Sequence, residues 1–437
     1  MEVEPRGIKL EEPFVVNGMV SLVLATVWLV FKREYLLEYF YFSELLALTH
    51  LVTLGFLSSL MMGVLHRLSP MLFGVDASSL WVGRAQFGLF VVGVWGMIAH
   101  FWMDEARGMS WATFLVFGAG VLQLWNFRGL FRVRGKNAWP ARFVATSLLY
   151  FLLAATLGIL LGLLKGYDVR APVLAAHYID NVFAHAHLAG VGWVAMMIFG
   201  VELKLVPTSF GTGRFVPIRF ALVNIGTIGV AVALLTVRSA TPFALLLAVA
   251  CVWHAWGPAR ALLKKRAREW ELLPLMLLVV AATAGVALSF GWPEAADPAR
   301  GRVQLAYGFV AIYGFMVLSV VTVAFKLFPM WVWKERFQRD FGIKPVPGMK
   351  ELHSETLRAA ANVGIFTAVL LTAAAIIVSS PMLLNVSIPL LLTAVVCFVA
   401  NFARVARWEL LKKEFHPTEA DWAKFKMMFP EARTDNR

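Results

Sequence analysis

The chain has 437 residues, of which 59% are hydrophobic and only 15% charged, with a formal net charge of +13. Soluble domains are about 45–50% apolar and about 25% charged. The composition therefore excludes a soluble enzyme or a soluble nucleic-acid binder and leaves an integral membrane protein. Two cysteines, Cys251 and Cys397, both within apolar runs, exclude a disulfide framework and a thiolate metal cluster.

Met1 to Pro13 is polar and acidic and carries no signal-peptide pattern, so the first apolar segment is expected to stay as a helix. A span needs roughly 20 apolar residues. Twelve segments qualify, near 14–32, 43–68, 81–103, 109–131, 142–166, 179–206, 217–237, 240–264, 271–292, 303–329, 357–378 and 383–405. Only eight basic residues fall on the side opposite the N-terminus: Lys32, Arg33, Arg107, Lys165, Arg170, Arg238, Arg300 and Arg302. The remaining 32 of the 40 Lys and Arg fall with the termini. By the positive-inside rule this predicts a multi-pass protein of a bacterial-type inner membrane with both termini cytoplasmic. Trp333 to Glu355 reads as a basic cytoplasmic loop. In the cytoplasmic tail, 406–437, Thr418 and Asp421 fit a helix-capping box. Phe, Trp and Met on that short helix suit a membrane surface.

The second, sixth and tenth segments share a framework. His50 stands five residues before Gly55-Phe56, and Arg67-Leu68-Ser69-Pro70 follows; His187 precedes Gly192-Trp193, with Lys204-Leu205-Val206-Pro207. The tenth runs Phe309, Gly314-Phe315, then Lys326-Leu327-Phe328-Pro329. The first two add Gly63 and Gly200, and Phe73-Gly74 and Phe210-Gly211. The offsets of 137 and 122 residues each cover about four helices, which predicts an all-α bundle of twelve transmembrane helices. They form three four-helix units related by a pseudo-threefold axis, with repeats around 14–131, 142–264 and 271–405. The whole chain, 1–437, reads as one membrane domain with its tail.

Of nine histidines, His50, His100, His177, His185 and His187 fall in one layer near the outer face. Ionisable groups inside a bilayer are costly and by default mark a site. Neutral imidazole is also a standard axial ligand of haem iron. Residues two apart on an α-helix point about 200° from each other, so His185 and His187 diverge and suit two cavities rather than one ion. His50 and His187 match in register, which leaves His185 to face the cavity of His50. The metal-ligand candidates are thus His50, His185 and His187, followed by His177 and His100. Arg300 and Arg302, unusual charges on the outer side, are candidates to hold haem carboxylates. Glu44 is a candidate to orient a ligand, and Glu202 is expected to form an ion pair with Lys204. His66 and Arg67 are expected at the lipid headgroups and His254 as a hydrogen-bonded core residue. No Walker motif, dinucleotide fingerprint or nucleophile elbow occurs in a fitting context.

Twelve helices in three units, with histidines on helices 2 and 6, resemble subunit I of the haem-copper oxidase superfamily over residues 14–405. That superfamily includes oxygen reductases, nitric oxide reductases and the related NnrS-type nitric-oxide-response proteins. The resemblance implies that His50 ligates a low-spin haem and that His187 is placed as a copper ligand. The chain also departs from the family's pattern. Helix 10 carries Phe309 where the family has a haem-ligating His-x-His, residues 217–237 lack the family's His-His copper pair, and Val191 stands where many oxidases have a tyrosine. His185-Ala186-His187 looks like the helix-10 motif transferred to helix 6. The resemblance implies a haem-binding protein, with copper as a second cofactor, in nitric oxide or oxygen chemistry, electron transfer or gas sensing. Its partners would be a diatomic gas, a redox protein or a small accessory membrane subunit, and no nucleic acid. One alternative is a genuine oxidase or nitric oxide reductase subunit, an oxidoreductase completed by a partner. Another is a cofactor-free transporter or assembly factor on the same bundle.

Overall fold

The computed structural model describes residues 10–38, 40–167, 169, 172–205, 214–264, 270–290, 298–410 and 414–429. Arg170, Val206, Pro207, Phe210 and Gly211, used in the sequence reading, lie outside them. Among the described residues the secondary structure is helical throughout. Twelve helices are long and apolar enough to cross a membrane: α1 (Glu11–Phe31), α2 (Ser43–Phe73), α3 (Leu80–Trp102), α4 (Ala106–Asn126), α5 (Gly135–Gly166), α6 (Tyr178–Leu205), α7 (Val216–Leu235), α8 (Thr241–Arg260), α9 (Leu272–Ser289), α10 (Ala299–Arg336), α11 (Glu355–Ile377) and α12 (Pro381–Trp408). In lipid each backbone polar group must be satisfied within the protein, which is what a continuous helix does. A surface helix, α13 (Glu419–Met428), begins with the reciprocal Thr418–Asp421 capping box.

The helices wind around three of their number. Helices α2, α6 and α10 touch one another, and each packs on the helix before it and the helix after it. The others form a ring in chain order, closed where α1 meets α12. Of the twelve, the central α2 and α10 are the most deeply buried, while α6 is buried to the same extent as its neighbour α5.

Each central helix carries an eight-residue π-helical segment in the same register: Leu51–Ser58, Leu188–Ala195 and Val310–Val317. They begin directly after His50, His187 and Phe309, at the offsets of 137 and 122 residues read from the sequence. A π segment inserts extra residues into an α-helix and so rotates everything beyond it; such segments are rare and cluster at functional sites. The Trp193 indole donates to the Ser58 hydroxyl at 2.9 Å, pinning two of these segments together.

The glycines that mark the framework have a packing reason. A methyl at Gly55 would come within 2.7 Å of Ser21 Oγ on α1, at Gly192 within 2.5 Å of Tyr150 on α5, and at Gly314 within 3.1 Å of Leu277 on α9. The basic exit residues behave alike. Arg67 pairs with Glu11 at 3.6 Å (and with Glu335), Lys204 donates to Asn137 at 2.6 Å, and Lys326 pairs with Glu271. Glu11, Asn137 and Glu271 each lie at the start of, or one residue before, the helix preceding the central one; Glu335 lies near the end of α10.

Three boundaries correct the sequence reading. Pro70 does not end α2, which continues through a π turn, Ser69–Phe73, to Gly74 at φ +69°. Pro329 lies inside α10, which continues to Arg336. Proline removes a single backbone donor, and in lipid the freed group is re-satisfied by neighbours, so it marks an exit only loosely. Helix α4 stops at Asn126, before a 3-10 turn over Arg128–Arg132, rather than near residue 131.

Candidate functional site

A chamber lies among α2, α3, α4, α5, α6 and α10. His50 from α2 and His185 from α6 line it, and their ring centres are 6.4 Å apart with planes inclined at 28°. The rings are held by different means. The His50 Nδ1 donates to the Leu46 carbonyl one turn earlier at 2.7 Å, and its face lies on Phe101 at 4.9 Å between centres. The His185 Nδ1 donates across to the Ala154 carbonyl on α5 at 2.9 Å. Its Cε1 lies 3.1 Å from where a side chain at Gly158 would begin. A carbonyl can only accept, so both bonds fix the proton on Nδ1 and leave the lone pair of the neutral ring on Nε2. That is how metal-binding imidazoles are oriented. The orienting group for His50 is thus the Leu46 carbonyl, whereas the sequence suggested Glu44.

His187 repeats the His50 arrangement, donating from Nδ1 to the Phe183 carbonyl at 2.8 Å. Its Nε2 accepts from the Tyr307 hydroxyl of α10 at 3.4 Å. His187 and Tyr307 line the His50–His185 chamber and also a second one of about 1150 Å³ among α6 to α10. The pair therefore forms a shared wall. Among the described residues no three His, Cys, Asp or Glu side chains converge as a metal-holding group. An ion on His187 would need further ligands from outside the side chains described.

The mouth of the first chamber carries a polar cluster that sequence reasoning missed. The Tyr41 hydroxyl donates to that of Tyr178 at 3.0 Å, and Tyr178 donates to the Leu161 carbonyl at 3.2 Å. Lys165 lines the same chamber, 3.3 Å from the Ser43 hydroxyl and 3.4 Å from Asp104. The Ser43 hydroxyl, and after it Lys165, holds the Asp104 carboxyl below its ordinary value. Tyr41 and Tyr178 are 137 residues apart, the same offset as His50 and His187. That repetition was the available signal.

The remaining candidates stand elsewhere. Arg300 lines the second chamber, and the Arg302 Nε donates to the Ile377 carbonyl at the end of α11 at 3.2 Å. His100 ends α3 and faces Glu105 at 3.2 Å, while His177 precedes α6 and lies 4.0 Å from Asp180. The Glu202–Lys204 ion pair read from the sequence does not form: Glu202 bonds buried His254 of α8 at 2.9 Å, and Lys204 turns to Asn137. Residues two apart diverge on a helix, so the two charges of α6 face different neighbours. His66 is packed on Phe127, with ring centres 4.9 Å apart, and its half-buried neighbour Arg67 is ion-paired with Glu11.

No protein-family model matches this chain, and no curated protein sequence does.

Proposed function

We propose that this chain is a haem-binding membrane protein built like the core subunit of the haem-copper oxidases, with His50 and His185 as the residues that would hold the haem. The observation that carries the reading is the meeting of these two buried imidazoles, from two different helices, across one chamber with ring centres 6.4 Å apart. The Nδ1 bonds to Leu46 and Ala154 carbonyls and the mainly apolar walls fit the same group. A haem bound there would supply a one-electron couple tuned by its axial ligands and the surrounding polarity. His50 and His185 would hold the haem, the apolar walls would exclude water, and Lys165 and the Tyr41–Tyr178 pair would offer donors to the carboxylates. A haem held by two histidines would favour electron transfer over binding a gas.

The same reading includes three related four-helix units, supported by the matched π segments, the close-approach glycines and the repeated exit pairs. It also places both termini on the cytoplasmic side, supported by the uneven distribution of basic residues. The test is haem content by pyridine haemochrome on the purified chain. His50→Ala and His185→Ala are each expected to lose most of the haem, and His187→Ala to keep it. Equal haem in all three variants, or none in the parent chain, removes the proposal.

A further inference from the structure

The second chamber contains a cation that the haem reading leaves without a task. Helix α10 presents Arg300, Gln304 and Tyr307 along one stripe of this chamber, with Ala311 and Phe315 below them. Their spacing is that of one helical face. The walls opposite are aliphatic, including Leu234, Leu247 and Leu278. The Arg300 Nε is buried with no hydrogen-bond partner among the described residues. Arg300 itself is half-buried, and this unpaired donor on the chamber wall has the chemistry to take an acceptor from a ligand. Of the other polar groups of the chamber, His187 and Tyr307 bond each other, and Asp180, a carboxylate, lies 4.0 Å from His177.

We propose that this chamber binds an anionic amphiphile, an acyl chain ending in a carboxylate or phosphate. The head would lie on Arg300 and Gln304 and the chain along the aliphatic wall. Guanidinium matches both headgroups through paired hydrogen bonds, and inside a bilayer acyl chains are the apolar material at hand. The proposal does not depend on haem in the first chamber.

The full-length protein, purified in a neutral detergent and stripped of lipid, is titrated by native mass spectrometry with oleate, phosphatidylglycerol and zwitterionic phosphatidylcholine. About one tightly held anion per chain is expected, and no retained phosphatidylcholine. A hydrogen bond to a charged group is worth roughly 1.5–3 kcal/mol, so Arg300→Gln should weaken binding about tenfold or more. Arg302→Gln should leave it unchanged, and Ala248→Phe, which adds bulk to the chamber wall on α8, should abolish it. Retention of oleate alone identifies a free fatty acid, and retention of phosphatidylglycerol a membrane lipid; either supports the proposal. Binding of neither anion overturns it, as does undiminished binding in a folded Arg300→Gln protein or in Ala248→Phe. A second porphyrin per chain that is lost with Arg300→Gln also overturns it. If Arg300→Gln does not fold, Ala248→Phe decides.

Discussion

His185 owes its direction to a neighbouring helix. The Ala154 carbonyl accepts from its Nδ1, and Gly158, one turn later on α5, leaves the space its ring occupies. Any side chain at 158 would begin 3.1 Å from the ring carbon. Gly158→Val is therefore expected to displace His185 and lower haem retention while the protein still inserts, and Gly158→Ala to do so weakly. Overpacking of this kind costs about 1–3 kcal/mol, and haem content together with the thermal midpoint reads it. Much of this site can be seen in the residues alone. The offset of 137 makes His187 the counterpart of His50, and the 200° step sends His185 to another side of α6. The anchoring carbonyls could not be foreseen, because any backbone offers them. Lys165 reads only as an outer-side basic residue, because it ends an apolar run like an ordinary interfacial lysine. Arg300 and Arg302 look alike in the sequence, yet Arg300 lines the second chamber and Arg302 bonds the Ile377 carbonyl, since residues two apart diverge on a helix.

At the scale of elements, the repeated glycines are places where two helices come too close for a side chain. A methyl at Gly192 would strike the Tyr150 ring, and a methyl at Gly314 would meet Leu277 less severely. Gly192→Ala should cost about 1–3 kcal/mol and lower the thermal midpoint, with Gly314→Ala the milder of the two. The reverse order, or no change in either, would show that α5 and α9 can shift to absorb the methyl. Twelve helices are readable from hydropathy because the bilayer demands about 20 apolar residues per crossing. The π segments have no such signature, since their extra residues leave the apolar pattern intact. Only their common register betrays them, behind glycines that seemed at first to be mere sequence markers. Proline misled at Pro70 and Pro329 for the complementary reason, because one missing donor does not end a helix already held on several sides.

For the whole molecule, three helices at the centre and a closed ring outside set out two chambers that share the His187–Tyr307 wall. The proposed orientation, both termini cytoplasmic, rests on the uneven distribution of basic residues. Reporter fusions at the N-terminus and after Arg437 should both report the cytoplasm, and one after Lys165 the opposite side. A split result for the two termini would contradict the twelve-span topology. The central claim is that one haem is held between α2 and α6 by His50 and His185. Its most direct test is the near-infrared magnetic circular dichroism of the purified ferric protein, which reports both axial ligands. A low-spin bis-imidazole band is expected in the parent chain and in His187→Ala, and its loss is expected in both His50→Ala and His185→Ala. A protein without haem, or a bis-imidazole band that survives in His185→Ala, contradicts the account.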